Sequence, residues 1–142
     1  PFDATLFDTL GQKTPYLTNI HTAGQYASRQ FWFAGGVQRI IDLLADSGLL
    51  DMDAMTVTGL TVRENLANVK KTDFFRMGEG YLGNYATVDG TRRLQRTDVV
   101  RNPDDPKTKK GSMAVMKGSL EQEGSITAAP ARFSITPLTS DL

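Results

Sequence analysis

Apolar positions recur along this chain first at helical spacing and later at alternating spacing. Phe2, Leu6, Phe7 and Leu10 share one helical face, with Gly11 as the expected stop. Thr14 to Ile20 reads as a short extended run, because Pro15 pushes Thr14 out of helical geometry. The strongest pattern lies in Gly36 to Ser47. There Val37, Ile40, Ile41 and Leu44 fall at i, i+3, i+4 and i+7, while Gln38, Arg39 and Asp42 fill the opposite face. Gly48 supplies a left-handed end to that helix. A helical turn through Gln30 to Ala34 precedes it, and Gly35-Gly36 marks a kink or a close backbone approach. Met55 to Thr58 reads as a short buried strand ended by Gly59. Thr61 and Glu64 have capping-box spacing: the Thr61 hydroxyl accepts from the Glu64 N–H, and the Glu64 carboxylate reaches back to the Thr61 N–H. A helix from Val62 to about Val69 follows.

The texture changes after Lys71. Glycines at 78, 80, 83 and 90 interrupt the chain, and no apolar period is visible there. Residues 73–98 are therefore expected to be a mobile connector, open to trypsin at Arg92, Arg93 or Arg96. The segment NPDDPKTKKG, residues 102–111, reads as an exposed loop. From Ser112 the pattern becomes strand-like, with Met113, Val115, Ile126, Phe133 and Ile135 as the apolar side of a pleat. The expected fold class is α+β, with a helix-rich first half and a β-leaning last third. The expected organisation is a helix-rich segment 1–72, a connector 73–98 and a β segment 99–142.

Composition narrows the function classes. Sixteen basic residues balance sixteen acidic ones, which gives no electrostatic case for nucleic acid or an anionic membrane. No stretch approaches the roughly 18 apolar residues needed to cross a bilayer, and PFDATLFDTL has no basic region of a secretory signal. The chain starts at Pro1 without an initiator Met, which fits a processed chain or a piece of a longer one. Cysteine is absent, so neither a disulfide framework nor a thiolate metal site is available, and a cytoplasmic location is expected.

Few residues carry chemistry by pattern alone. Gly78-Glu79-Gly80-Tyr81-Leu82-Gly83 fits G-x-G-x-x-G, and Asp98 follows at twenty residues. The flanks read neither as a strand before it nor as a helix after it, so the nucleotide reading yields to a flexible loop. His21, with Thr22 and Gln25, lies in a polar loop at the end of a short extended run, a usual place for ligand contacts. These three are the candidate substrate-binding residues, beside the plainer reading of a loop histidine bonded to backbone. Asp46, Asp51 and Asp53 have the chemistry for Mg²⁺ but sit where aspartate commonly serves a helix end or turn. No metal site and no catalytic residue is assigned. Phe31, Trp32 and Phe33 read as core or interface packing.

The phrases TAGQY, FWFAGGV and TVTGLTVREN, together with VVRNPDDPKTKKGSMAVMKGSLEQEGSI at residues 99–126, resemble the dihydroxy-acid dehydratase and phosphogluconate dehydratase family. The resemblance runs from about Asp3 to Gly124 and covers roughly a quarter of a typical member. It implies a hydro-lyase that removes water from sugar acids or 2,3-dihydroxy acids with an iron–sulfur cluster and Mg²⁺. It also implies the end of an N-terminal α/β domain leading into a C-terminal β-barrel domain. The family's cluster cysteines, Mg²⁺ ligands and base motif correspond to no position here. Thr22, Ala23 and Gln25 stand where the family often has Pro, Ser and Lys, and the tail, residues 128–142, fits it poorly beyond Pro130-Ala131-Arg132. The expected function is therefore a fragment or truncated form of a hydroxy-acid dehydratase, inactive alone, with no cofactor of its own. Self-association or a complementary polypeptide is the expected partner. The alternative is a stand-alone, non-catalytic binding or assembly module.

Overall fold

The computed structural model describes residues 5–118 and 121–128. In chain order they form α1 (Thr5–Lys13), α2 (Ser28–Phe33), α3 (Gly36–Asp46), α4 (Val62–Lys70), α5 (Asp73–Leu82), α6 (Arg96–Val99), β1 (Met113–Gly118) and β2 (Glu121–Ala128). The described part is helix-rich. Phe2, Phe133, Ile135 and the tail from residue 129 lie outside the described residues.

Leu17, Tyr26, Ala34, Leu43, Leu82, Leu94, Val99 and Val100 build the core, with Phe31, Phe33, Ile40, Leu44 and Tyr85 packed against it. The extended run Thr14–Ile20 threads this core by pairing with residues 99–108. Asn19 N–H donates to the Val99 carbonyl at 2.8 Å, Arg101 N–H to Leu17 at 2.8 Å and Tyr16 N–H to Thr108 at 3.0 Å. A segment near the start of the chain is thus fastened to one near residue 100, and the core draws on both.

Several sequence expectations hold at the level of single atoms. Helix α3 covers its expected span, Gly35 and Gly36 take positive φ at its start, and Gly48 takes φ 69° after its end. Only a residue tolerant of the left-handed region suits those positions. The capping box of α4 is present: Glu64 N–H donates to Thr61 Oγ1 at 3.3 Å and Thr61 N–H donates to Glu64 Oε2 at 2.8 Å. These bonds hold the Glu64 carboxyl below its ordinary range, chiefly through the Thr61 backbone. Thr61→Ala should lower the thermal midpoint and Thr61→Ser should preserve it, because only the hydroxyl can cap. Equal midpoints for the two variants would contradict the assignment.

Other expectations are corrected. Helix α1 does not stop at Gly11 but runs to Lys13. Gly111 comes close to it there: its N–H donates to the Gly11 carbonyl at 2.7 Å, and a Cβ on Gly111 would stand 3.2 Å from the Gly11 Cα. Met55–Thr58 is not a buried strand: it leads into a turn with Met55 exposed and Val57 fully in solvent, tied by Thr56 N–H to the Leu60 carbonyl. On α3 the buried arc is rotated from the apolar stripe. Val37 is exposed, whereas Asp42 is 5% exposed. Asp42 is buried because Arg39 (3.2 Å) and, from the end of α4, Lys70 (2.6 Å) close over its carboxylate.

The largest correction concerns residues 73–98, expected to bury nothing. Residues 73–82 form α5, whose Thr72 hydroxyl accepts from the Phe75 N–H, and Leu82 and Leu94 are core residues. G-x-G-x-x-G therefore lies on a helix and its C-cap rather than in a loop. Gly78 is the close-contact point with α2: a Cβ there would stand 2.3 Å from the Phe33 carbonyl oxygen. Around it Phe33 stacks on Tyr81 at 5.2 Å and Trp32 meets Phe74 at 4.8 Å, as expected for packing aromatics.

Arg96 donates to the Phe75 carbonyl and Arg92 is engaged by Asp98. With those arginines held, first cleavage by trypsin is expected at Lys109 or Lys110, both exposed in the 102–111 loop. Initial cutting at Arg92 or Arg96 would contradict this packing.

The strands β1 and β2 form an antiparallel hairpin in which Met113 faces Ala128, Val115 faces Ile126 and Gly118 faces Glu121. Its register shifts between Met116 and Gly118.

Candidate functional site

Asn19 organises the loop that follows the extended run. Leu17 and Asn19 fall on one side of the run and both are buried, Asn19 at 7% exposure. A buried amide must find partners, and this one finds several. Its Nδ2 donates to the Asp98 carbonyl at 3.1 Å, and its Oδ1 accepts from Lys107 Nζ at 3.0 Å and from Gln25 N–H at 3.3 Å. The Asn19 carbonyl accepts from both Gln25 and Tyr26 N–H groups, and His21 N–H donates to the Tyr26 carbonyl. Gly24 passes so close beneath that a Cβ would stand 2.2 Å from the Asn19 carbonyl carbon. The result is a tight turn that presents His21, Thr22 and Gln25 to solvent.

Gln25 also borders a cleft of about 300 Å³ whose other walls are Tyr26, Thr87, Val88, Asp89, Arg92 and Asp98. Its charges are already paired or capped. Arg92 makes two bonds to Asp98, 2.7 Å from Nη1 and 2.5 Å from Nη2, and Asp89 Oδ1 accepts from Thr87 Oγ1 at 2.5 Å and Thr91 N–H at 3.1 Å. The Arg92 hydrogen bond holds the Asp98 carboxyl below the ordinary carboxylate range against the opposing effect of burial. A carboxyl depressed in the fold adds stability above its unfolded pKa and loses it as pH falls through the folded one. Arg92→Gln should therefore flatten the acid limb of the stability curve below about pH 4. An unchanged acid limb would show that the pair contributes nothing.

Of the three candidate residues, the structure brings all to one turn, but only Gln25 lines the cleft. Sequence reading did not connect Asn19, Lys107, Arg92 or Asp98 with this loop; it had named Asp98 only beside the glycine motif and Arg92 only as a trypsin site. Asn19 had a signal, a polar residue on the apolar side of an extended run. Lys107 had none, since it sits in a polar loop 88 residues away. Asp51 and Asp53 are used locally: Asp51 Oδ1 accepts from Asp53 N–H at 3.1 Å, and Asp53 pairs with Arg63 at 3.3 Å. Among the described residues no three His, Cys, Asp or Glu side chains converge in a way that could hold a metal ion. With cysteine absent from the whole chain, this donor set does not fit an iron–sulfur cluster.

Fold and site together define a helical framework with a polar turn, carrying His21, Thr22 and Gln25, at its surface. Sequence comparison places that framework. Residues 1–65 match the dihydroxy-acid/6-phosphogluconate dehydratase N-terminal family. The dihydroxy-acid dehydratase of Agathobacter rectalis is 33% identical over 130 residues, covering 92% of this chain and 19% of that protein. Those of Caldanaerobacter subterraneus subsp. tengcongensis and Polaromonas naphthalenivorans are 30% and 33% identical, over 86% and 84% of this chain and 18% of each relative. The chain is thus similar to the dihydroxy-acid/phosphogluconate dehydratase family over most of its length and spans just under a fifth of the length of these curated relatives. No helix among the described residues is long and apolar enough to cross a membrane.

Proposed function

We propose that this chain is one segment of a hydroxy-acid dehydratase, a lyase that removes water from a sugar acid or a 2,3-dihydroxy acid. The observation that carries the reading is the similarity over 92% of this chain to just 19% of a dihydroxy-acid dehydratase. In this reading residues 1–72 close the N-terminal domain, and residues 73–98 lead across to the segment 99–142, whose hairpin opens the second domain. The loop of His21, Thr22 and Gln25 supplies polar contacts to the hydroxy acid, and the reacting groups come from the remaining polypeptide. The cytoplasm is the expected compartment.

A complementary polypeptide, or a second copy, is the partner this reading requires. Val37, Met55, Val57, Trp32 and Met77 are exposed, and covering such side chains with a partner removes apolar surface from water. Ile41, Leu50, Val62, Leu66 and Val69 line a further cleft of about 390 Å³ between α3 and α4. The amphipathic stripe of α3 thus turns partly away from its own core.

Assay of the purified chain with a 2,3-dihydroxy acid, iron, sulfide and Mg²⁺ tests the assignment of the reacting groups elsewhere. No turnover is expected, because cluster iron requires thiolates that the chain lacks. Turnover in proportion to chain concentration would overturn it.

A further inference from the structure

We propose that Lys107 is the positioning residue of the contact loop, and that it couples the loop's geometry to the segment leading into the hairpin. The Lys107 ammonium donates to Asn19 Oδ1 at 3.0 Å and also to the Ala23 carbonyl. It therefore touches both the residue that founds the turn and the residue at its tip. Its own backbone is fixed independently, since Lys107 N–H donates to the Tyr16 carbonyl at 2.9 Å.

The choice of cation matters. Both acceptors are uncharged, and no carboxylate lies within ion-pair distance of Lys107 among the described residues. An ammonium held by two neutral oxygens gives charge-assisted hydrogen bonds, which are stronger than neutral ones. It does so at the cost of partial burial. That burial, with a smaller push from the Arg101 charge, lowers the Lys107 pKa. Around it, Asn19 meets the ammonium through Oδ1 and Arg101 is the charge that acts on it, while Asp98 reaches Asn19 only through its carbonyl, its carboxylate being occupied by Arg92.

Removing the ammonium leaves Asn19 Oδ1 with only the long bond from Gln25 N–H, and leaves the Ala23 carbonyl without its lysine donor. Both effects fall on the stretch that carries His21, Thr22 and Gln25. Lys107 touches none of those three side chains and so acts through Asn19 and Ala23. The inference rests on the proposed contact role of the loop for its functional meaning, but its geometry can be read without substrate.

The single histidine of the chain gives an unambiguous NMR reporter at the loop. In the 142-residue chain, Lys107→Met is expected to move the His21 imidazole and the Ala23–Gln25 amide resonances. It should also raise hydrogen exchange at the Gln25 and Tyr26 amides by about tenfold or more, leaving Leu66 on α4 unchanged. Lys107→Gln, which keeps a donor without the charge, should fall between. A readout that a purely structural lysine would not move comes from the wild-type chain. The Ala23 and Gln25 signals should titrate together with the Lys107 side chain, at a pH below the ordinary lysine value. Unmoved loop resonances in Lys107→Met, or loop signals blind to the Lys107 titration, would overturn the proposal. If Lys107→Met does not fold, the wild-type titration decides alone. Altered loop geometry with no effect on hydroxy-acid turnover in a whole dehydratase carrying this segment would leave the positioning role standing and refute the contact role.

Discussion

Gly78→Ala should destabilise the fold by about 2–4 kcal/mol, whereas Gly80→Ala, two residues along the same helix, should stabilise it by up to about 1 kcal/mol. Intrinsic helix propensity favours alanine equally at both sites, so their difference isolates tertiary contact. At Gly78 the new methyl would stand 2.3 Å from the Phe33 carbonyl oxygen and 3.3 Å from its carbon, both backbone atoms of α2. Relief requires α2 and α5 to separate, and that opens the Phe33–Tyr81 stack and the fully buried Leu82 with it. At Gly80 nothing lies within 4 Å. Chemical denaturation of the two variants measures the contrast. Similar effects at the two positions would mean that the helices do not meet at Gly78.

Asp42→Ala is the second large effect, expected at about 2–3 kcal/mol, or roughly 5–10 °C in midpoint. Its carboxylate accepts from Arg39 at 3.2 Å and Lys70 at 2.6 Å while its own side chain is 7% exposed. Truncation strands the Arg39 guanidinium, whose Nε already lacks a hydrogen-bond partner. Lys70 is half-exposed and recovers water, so the loss stays below that of a fully buried pair. Lys70→Met should cost much less than Asp42→Ala, since it leaves Arg39 and Asp42 together. A loss under about 0.5 kcal/mol for Asp42→Ala, the range of ordinary surface changes, would place the carboxylate in solvent.

These two positions also mark where sequence and structure part. Caps and helix ends set by atoms near in sequence were read correctly at α3 and α4, though not at Gly11, which α1 runs past. Thr61 and Glu64 cap α4 within one turn, and Gly48 ends α3 with its own φ. Helix α5 was missed because its glycines look like breakers until a second helix is placed against them. Only the approach of the Phe33 carbonyl explains why Gly78 has no side chain. Asp42 was placed on the solvent face because periodicity reports which side is apolar, not which side a neighbouring helix covers. Its burial depends on Lys70, 28 positions away. The turn was legible at His21, Thr22 and Gln25, because polar residues following an extended run mark a turn. Its supports were not, since Lys107 and Asp98 reach Asn19 only through tertiary pairing of the run with residues 99–108.

The family resemblance was legible for the same local reason: glycine-punctuated phrases survive as text even where packing does not. What the phrases do not contain is the remaining four-fifths of the relatives. The central claim is that this chain does its work as part of a dehydratase, and a chimera tests it most directly. The 130 aligned residues of the Agathobacter rectalis dihydroxy-acid dehydratase would be replaced by this chain, and dehydration of a 2,3-dihydroxy acid followed in the folded, cluster-loaded product. The account predicts turnover above the background of a chimera carrying Gly78→Val, which cannot pack the segment. A folded, loaded chimera with no turnover would contradict it.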